Sequence, residues 1–459
     1  MRAVATGHPA TTDAGEEILE AGGSAADAAV AACLASCVAE TVMTGFLGGG
    51  HAIHFDAASG RAANLDCFIA MPGLGRPRRE VALLELEVPF GAELVHYAVG
   101  IGSCGVPGVP AGLDALWSAH GGLPWAQLVE PALRLAKGAV PMPAAHASCL
   151  AMLETVMTMN EGAQIYAPGG SLLREGDLLR QPGLVHALEA IAAEGPRSAY
   201  EGTIGRSLLG LMEERGGLIT EDDLHAYKAV WSEPVSVEFR GFDLRTRADL
   251  SDFASALEAL PQLRGLGETE RALALVTVLA DELPAQNGTT NLAVLDDDGN
   301  ACVLTTSLGL GSGDFLPGLD LHLNSMLGEA DLLTGPLEPG ERMASMMAPS
   351  LALDEQGVAL AAGAAGGTRL RSALLQVVAG ILDEGLEPQA AVDRPRLHPA
   401  GPVVQIEPGF DAAAIAALES AGFEIREWPA RHHYFGGVSA VTRNGAAGDP
   451  RRSGAARAV

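Results

Sequence analysis

Lysine is all but missing from this sequence: Lys137 and Lys228 are the only two among 459 residues, and arginine carries the remaining positive charge. Acids outnumber bases 57 to 29, for a formal net charge of −28. A chain of that sign repels phosphate backbones and anionic lipid, which excludes nucleic acid and anionic membranes as natural partners. Aromatic residues make up only 4% of the chain, so Ala, Leu and Val must fill the interior and elements must pack closely. Long apolar runs are absent too. The longest, residues 28–39, is bounded by Asp27 and Glu40 and is too short to span a bilayer. The first residues lack the basic start and apolar stretch of a secretory leader. The expectation is a soluble, cytoplasmic protein. Six cysteines lie scattered in apolar surroundings without paired ligand spacing, which predicts buried free thiols and no zinc site.

What is present reads as strands and helices in blocks. Residues 12–22 predict a helix capped by Thr11 or Thr12, and Ser24 with Asp27 forms a capping box for a second, Ala-rich helix. That helix is apolar on every side and should be buried. GFLGGG (45–50) leads into two strands around an AASG turn. Residues 108–230 are mainly helical, with a second capping box at Thr220 and Asp223. VSVEFRGFDLRT (235–246) alternates as a hairpin. Strands TTNLAVLD and NACVLTTSL meet at Asp297-Asp298-Gly299, a hairpin turn rather than a calcium loop. A second strand pair (348–363) precedes a helix near 368–384, and another helix covers 410–421. RRSGAARAV at the end reads as a disordered tail. His51 and His54, three apart on a strand, read as core or edge residues. Two strand-rich blocks with helices between them predict sheets covered by helical layers.

Gly288-Thr289-Thr290 stands at the mouth of a strand. A glycine before a hydroxyl residue permits unusual backbone geometry. The hydroxyl can then attack its own preceding carbonyl and free Thr289 as a new N-terminus. An α-amine has a reference pKa near 8 and serves at neutral pH as base for its own hydroxyl. Downstream, GAAGGT (363–368) places adjacent glycines where a strand meets a helix, a geometry that aims backbone N–H groups at one point. A tight strand-to-helix turn is the plainer reading of the same glycines. The Walker lysine of a phosphate loop is missing.

These pieces fall in an ordered series: ATTDAGEEILEAGGSAADAAVAA, TGFLGGG, GVPGVPAGLDAL, AYEGTIGRSLLGLMEERGGLITEDDLHAYKAV, TTNLAVLDDDGNACVLTTSLGLGSG, LNSMLGEADL, RMASMMAPSLAL, GAAGGTRLRSALLQVV and VDRPRLHPAGPVVQIEPGF. The series resembles the γ-glutamyltransferase family of N-terminal-nucleophile hydrolases, in a divergent branch, over nearly the whole chain. The resemblance implies an α+β fold, the four-layer αββα sandwich. It implies a precursor split between Gly288 and Thr289 into a large subunit (1–288) and a small one (289–459) that form one intertwined domain and a heterodimer. A dimer of these pairs is a further expectation. Thr289 falls on the family's nucleophile, Ser307 on its second hydroxyl, and Gly366 and Gly367 on its oxyanion pair. Ser345 falls near the serines that hold the substrate carboxylate. Asn324 and Glu329 fall where the family reads the substrate ammonium. No cofactor and no metal are implied, because the amine replaces an external base.

The departures cluster at substrate recognition. Phe68 stands where the family carries its carboxylate-binding arginine, Met346 replaces the second serine, and Gly309 an asparagine. Asp249-Leu250-Ser251-Asp252 replaces a Pro-Ser-Ser-Gly-Gly segment. Arg369, after the glycine pair, is the candidate to meet a substrate carboxylate in place of the lost arginine. Three readings follow: a self-processing amidohydrolase or acyltransferase on small γ-glutamyl or related amides, an acylase of the same fold on another amide, and an unprocessed homologue that only binds.

Overall fold

A computed structural model describes all residues except 78, 91–92, 281–288, 330–331 and 334. Its two large sheets are built from β1 (Ala3–Thr6), β2 (Gly49–Asp56), β3 (Arg61–Cys67), β4 (Val230–Ser232), β5 (Val235–Phe239), β6 (Phe242–Thr246), β7 (Thr290–Leu295), β8 (Ala301–Ser307), β9 (Ser350–Asp354), β10 (Gly357–Ala365), β11 (Gly437–Thr442), β12 (Gly445–Ala447) and β13 (Ala455–Ala458). The first sheet runs β13-β1-β7-β8-β2-β3-β4 and the second β12-β11-β10-β9-β6-β5. Every pairing in both is antiparallel. Strands from both sides of residue 289 join each sheet, interleaved in the first and side by side in the second, so neither segment has a sheet of its own.

The central hairpin shows why the layers form. Side chains alternate across a strand, and β7 and β8 are apolar on both faces. Leu292, Val294, Cys302 and Leu304 enter the core under the helices. Ala293, Leu295, Ala301 and Val303 enter the core between the sheets, which is rich in alanine. Helices α1 (Pro9–Glu20), α2 (Ala25–Ala39), α3 (Val109–His120) and α4 (Trp125–Gly138) lie on the outer side of the first sheet. Helices α5 (Phe253–Ala259), α6 (Glu268–Leu279) and α7 (Arg369–Leu382) lie on the outer side of the second. The result is the αββα sandwich that the resemblance implied. α2 is buried along its entire length and carries the expected Ser24–Asp27 capping box. All six thiols are free and buried.

Two expectations are corrected. α1 begins at Pro9, not near residue 12, and its cap is His8, whose Nδ1 accepts from the Ala10 N–H at 3.0 Å. Proline suits the first helical turn because it has no N–H to satisfy, and Thr11 and Thr12 are interior to the helix and buried. The C-terminal segment is no tail. Ala455–Ala458 pairs with β1 as an edge strand, and Arg451 and Arg452 are buried. Its small residues carry little local preference, so the pairing depends on an edge supplied by the other end of the chain.

Candidate active site

Thr289 sits immediately before β7. The pairing of Thr290 with Thr306 continues to set Thr289 opposite Ser307, the last residue of β8. Ser307 in turn pairs with Gly49 on β2. The GFLGGG run makes this possible: a Cβ at Gly48 would stand 2.2 Å from the Ser307 carbonyl oxygen. Ser307 Oγ accepts from the Gly309 N–H at 2.9 Å, which fixes its rotamer beside the nucleophile.

β10 delivers the glycine pair. Gly366 (φ 136°) and Gly367 (φ 63°) follow its last residue and lead into α7. Such dihedrals strain any side-chain-bearing residue, and a Cβ at Gly366 would meet Gly436 Cα at 2.7 Å. Their carbonyls accept from the N–H groups of Arg369 and Leu370. The turn's own amides stand at the N-terminus of α7, where the helix dipole adds positive potential.

Thr289, Ser307 and Gly367 line one narrow cleft, about 10 Å³ and room for roughly one water. Its walls are Phe68, Met326, Leu332, Met346 and Met347, with the Glu329 carboxylate among them. These apolar side chains form one buried cluster with Ile69 and Met343. Both of the replaced carboxylate-reading positions, Phe68 and Met346, therefore face the nucleophile. At Gly309, a Cβ would lie 2.5 Å from Glu329 Oε1 and 2.8 Å from Ser325 Oγ, so those groups fill the place of the missing asparagine side chain.

Three predicted site residues lie elsewhere. Asn324 staples loops together: its Oδ1 accepts from the Gly105 N–H, and its Nδ2 donates to the Leu47 and Gly105 carbonyls, each at 2.9 Å. Ser345 Oγ accepts from the Met347 N–H, while its own N–H donates to Asp249 Oδ2. Arg369 is buried outside the cleft, donating to Thr368 Oγ1 at 3.1 Å with its guanidinium 5.1 Å from the Tyr434 ring centre. Leu370, not Arg369, turns toward the nucleophile, because consecutive helical residues point about 100° apart. Gly288 lies outside the described residues.

Sequence reasoning missed a second cavity, equally small, on the other side of Thr289. Glu40, His146, Thr290, Asn291, Asp449 and Arg452 are among its walls. Glu40 accepts hydrogen bonds from Thr11 Oγ1 and Thr290 Oγ1. Burial pushes its carboxyl up to about 7, although the two hydroxyls and Arg452 oppose the rise. Burial holds His146 near 3, hence neutral. Arg452 Nη1 donates to the Thr289 carbonyl at 3.1 Å. The signal for Glu40 was its place at the end of a wholly apolar helix, where a carboxyl is buried at a cost. Arg452 gave none, since its surroundings read as tail.

A hydroxyl residue at the head of a central strand, a second hydroxyl opposite it and a glycine turn lining the same cleft, inside an αββα sandwich, define the N-terminal-nucleophile class of amide hydrolases and acyltransferases. The chain belongs to the gamma-glutamyltranspeptidase family, whose sequence model matches residues 11–276 and 274–459. It is 28% identical to the acylase ACY 1 proenzyme of Pseudomonas sp. (strain SE83), over 96% of this chain and 89% of that one. It is 24% identical to the glutathione hydrolase proenzyme of Bacillus subtilis (strain 168), over 97% and 90%. Its fold matches the cephalosporin acylase from Bacillus halodurans with a TM-score of 0.83 at 24% identity, covering 100% of this chain and 96% of that one. The chain is an enzyme of this class, so the reading as a binding protein without activity falls away.

Proposed function

We propose that the chain cuts itself before Thr289 into 1–288 and 289–459, and that the freed threonine hydrolyses small amides with an apolar acyl group. One observation carries the substrate reading: Phe68 and Met346 both wall the cleft beside Thr289. An α-carboxylate placed there would lose its water and gain no charge-assisted donor. An apolar acyl group pays no such penalty. Thr289 Oγ attacks the amide carbonyl as its own α-amine takes the hydroxyl proton, and the Gly366–Gly367 turn takes the oxyanion; the C–N bond then breaks, the leaving amine takes that proton, and water activated by the freed α-amine releases the acid and restores the hydroxyl. The cleft in the unsplit chain holds about one water, so splitting also has to open it.

The second reading is a γ-glutamyl amide. Glu329 in the cleft favours it, as a carboxyl placed to meet a substrate ammonium, and so do relatives named glutathione hydrolases. A cytoplasmic location belongs to the same proposal, supported by six thiols that all remain unpaired. The two segments would stay together as a large and small subunit, with a dimer of such pairs to be read from the mass in solution.

Intact mass spectrometry of the wild type beside Thr289→Ala tests the first half. Two fragments in the wild type and a whole mutant support it; a wild type that stays whole after long incubation sinks it. A panel of anilides then tests the second. Higher kcat/KM for aliphatic acyl anilides than for the γ-glutamyl anilide is expected, and the reverse order would return the enzyme to the γ-glutamyl reading.

A further inference from the structure

Arg452 enters the second cavity from the C-terminal segment that the sequence presents as tail. Its aliphatic stem passes over Gly437, where a Cβ would lie 2.6 Å from Arg452 Cγ. Its guanidinium ends between the glycine turn and the nucleophile, with Nη2 3.5 Å from the Cβ position of Gly366 and Nη1 3.1 Å from the Thr289 carbonyl oxygen. Nη1 also meets Met43 Sδ, and among the described residues Nε has no acceptor. Among the described residues Arg452 forms no ion pair. A buried guanidinium held this way is costly and calls for a use.

Within one residue the nitrogen and the carbonyl oxygen are never more than about 3.7 Å apart. The guanidinium therefore stands within about 7 Å of the Thr289 nitrogen, whatever the backbone angles there. We propose that Arg452 is a positioning residue of the nucleophile: it anchors the Thr289 carbonyl and sets a buried cation beside the α-amine, keeping that amine unprotonated and so available to take a proton at neutral pH. A nearby cation disfavours a second positive charge, and burial strengthens the effect.

The groups around it agree. Asp449 is committed to Arg396 at 2.6 Å and to Arg451 at 3.2 Å. His146 is neutral, and Arg369 adds a second positive charge. Burial holds the Cys149 thiol in its neutral form. Among the described residues Glu40 is the one carboxyl near Arg452 without an arginine partner of its own, and its burial keeps it protonated in part at neutral pH.

This inference rests on the proposed release of the Thr289 amine, and the test separates the two. The purified full-length protein is first weighed for splitting, then treated with p-nitrophenyl acetate from pH 5 to 9. Acetylation of the 289–459 fragment is followed by mass. Wild type and Arg452→Lys should share an acidic limb below the ordinary amine value of about 8. In Arg452→Met the limb should move up by about one unit, with roughly tenfold slower acetylation at pH 6 and near wild-type rate at pH 9. An Arg452→Met limb that does not move overturns the proposal. So does a wild-type limb at 8 or above, which needs no variant to fold. A wild type that never splits removes the self-cleavage reading, and this inference with it; a split enzyme with an unmoved limb removes this inference alone.

Discussion

Thr289 stands between two cavities of the same size and opposite chemistry. On one side are Glu40, His146, Asp449 and Arg452, all buried and polar. On the other are Phe68, Met326, Met346 and Met347, with Glu329 as the one ionisable group among the described walls. The difference separates two tasks that one residue performs. A polar, fixed interior can hold a nucleophile's backbone and tune its base. An apolar wall can select what that nucleophile attacks. The residues proposed to react, Thr289, Ser307, Gly366 and Gly367, keep the family pattern while the proposed selecting wall departs from it, so on this reading chemistry and specificity are separable.

The largest expected effect comes from removing the point where the cavities meet. Thr289→Ala should stay one chain and lose amide turnover by more than about 10³-fold, measured on any anilide the wild type accepts. Next is Gly366→Ala. Its Cβ would press on Gly436 Cα at 2.7 Å, at a φ of 136° that alanine resists. A kcat lower by about 10²-fold is expected where the oxyanion turn is displaced, and an unchanged kcat would show that the turn is only a structural corner.

Phe68→Arg probes the apolar side alone. Phe68 is buried against the His51 ring, 5.3 Å between centres, so the change should cost stability. It should also shift the ratio of kcat/KM toward γ-glutamyl over aliphatic acyl anilides by about 10- to 100-fold. A ratio that stays put would mean Phe68 does not read the acyl group.

The smallest effect probes the polar side through stability. The Glu40 carboxyl is raised from 4.5 to about 7 in the folded state. Between those values the native protein holds a proton that the unfolded chain has lost. Stability from this group is thus present below about 4.5 and falls as pH rises toward about 7. Glu40→Gln should flatten that fall, so its Tm relative to wild type should rise between pH 5 and pH 8, by the equivalent of a few kcal/mol at most. Equal pH slopes for the two proteins would place Glu40 outside this linkage.

Local pattern made much of the frame readable. Alternation around Asp297-Asp298-Gly299 and Gly241 gave both hairpins. Two capping boxes marked helix starts at Ser24 and Thr220. Apolarity on every side of α2 announced its burial. The order of motifs also picked out Thr289, Ser307 and Gly367, which the fold brings to one cleft, because backbone turns and strand ends tie such positions to short, local strings. It did not show which way a side chain turns. Asn324, Ser345 and Arg369 have the right chemistry for a substrate, yet each is spent on neighbouring backbone or side chains outside the cleft.

The sequence by itself thus determined the family and the class of chemistry, and it proposed Thr289 as nucleophile and the loss of the carboxylate-binding pair, since each is a matter of residue type at a fixed place in a motif. Only the tertiary structure decided that Phe68 and Met346 face that nucleophile together, that the last residues form an edge strand on β1, and that Arg452 and Glu40 lie behind Thr289. Arg452 and Thr289 are 163 positions apart, and Glu40 and Thr290 250. No local preference encodes such pairings, because they form only when two sheets close over a shared core.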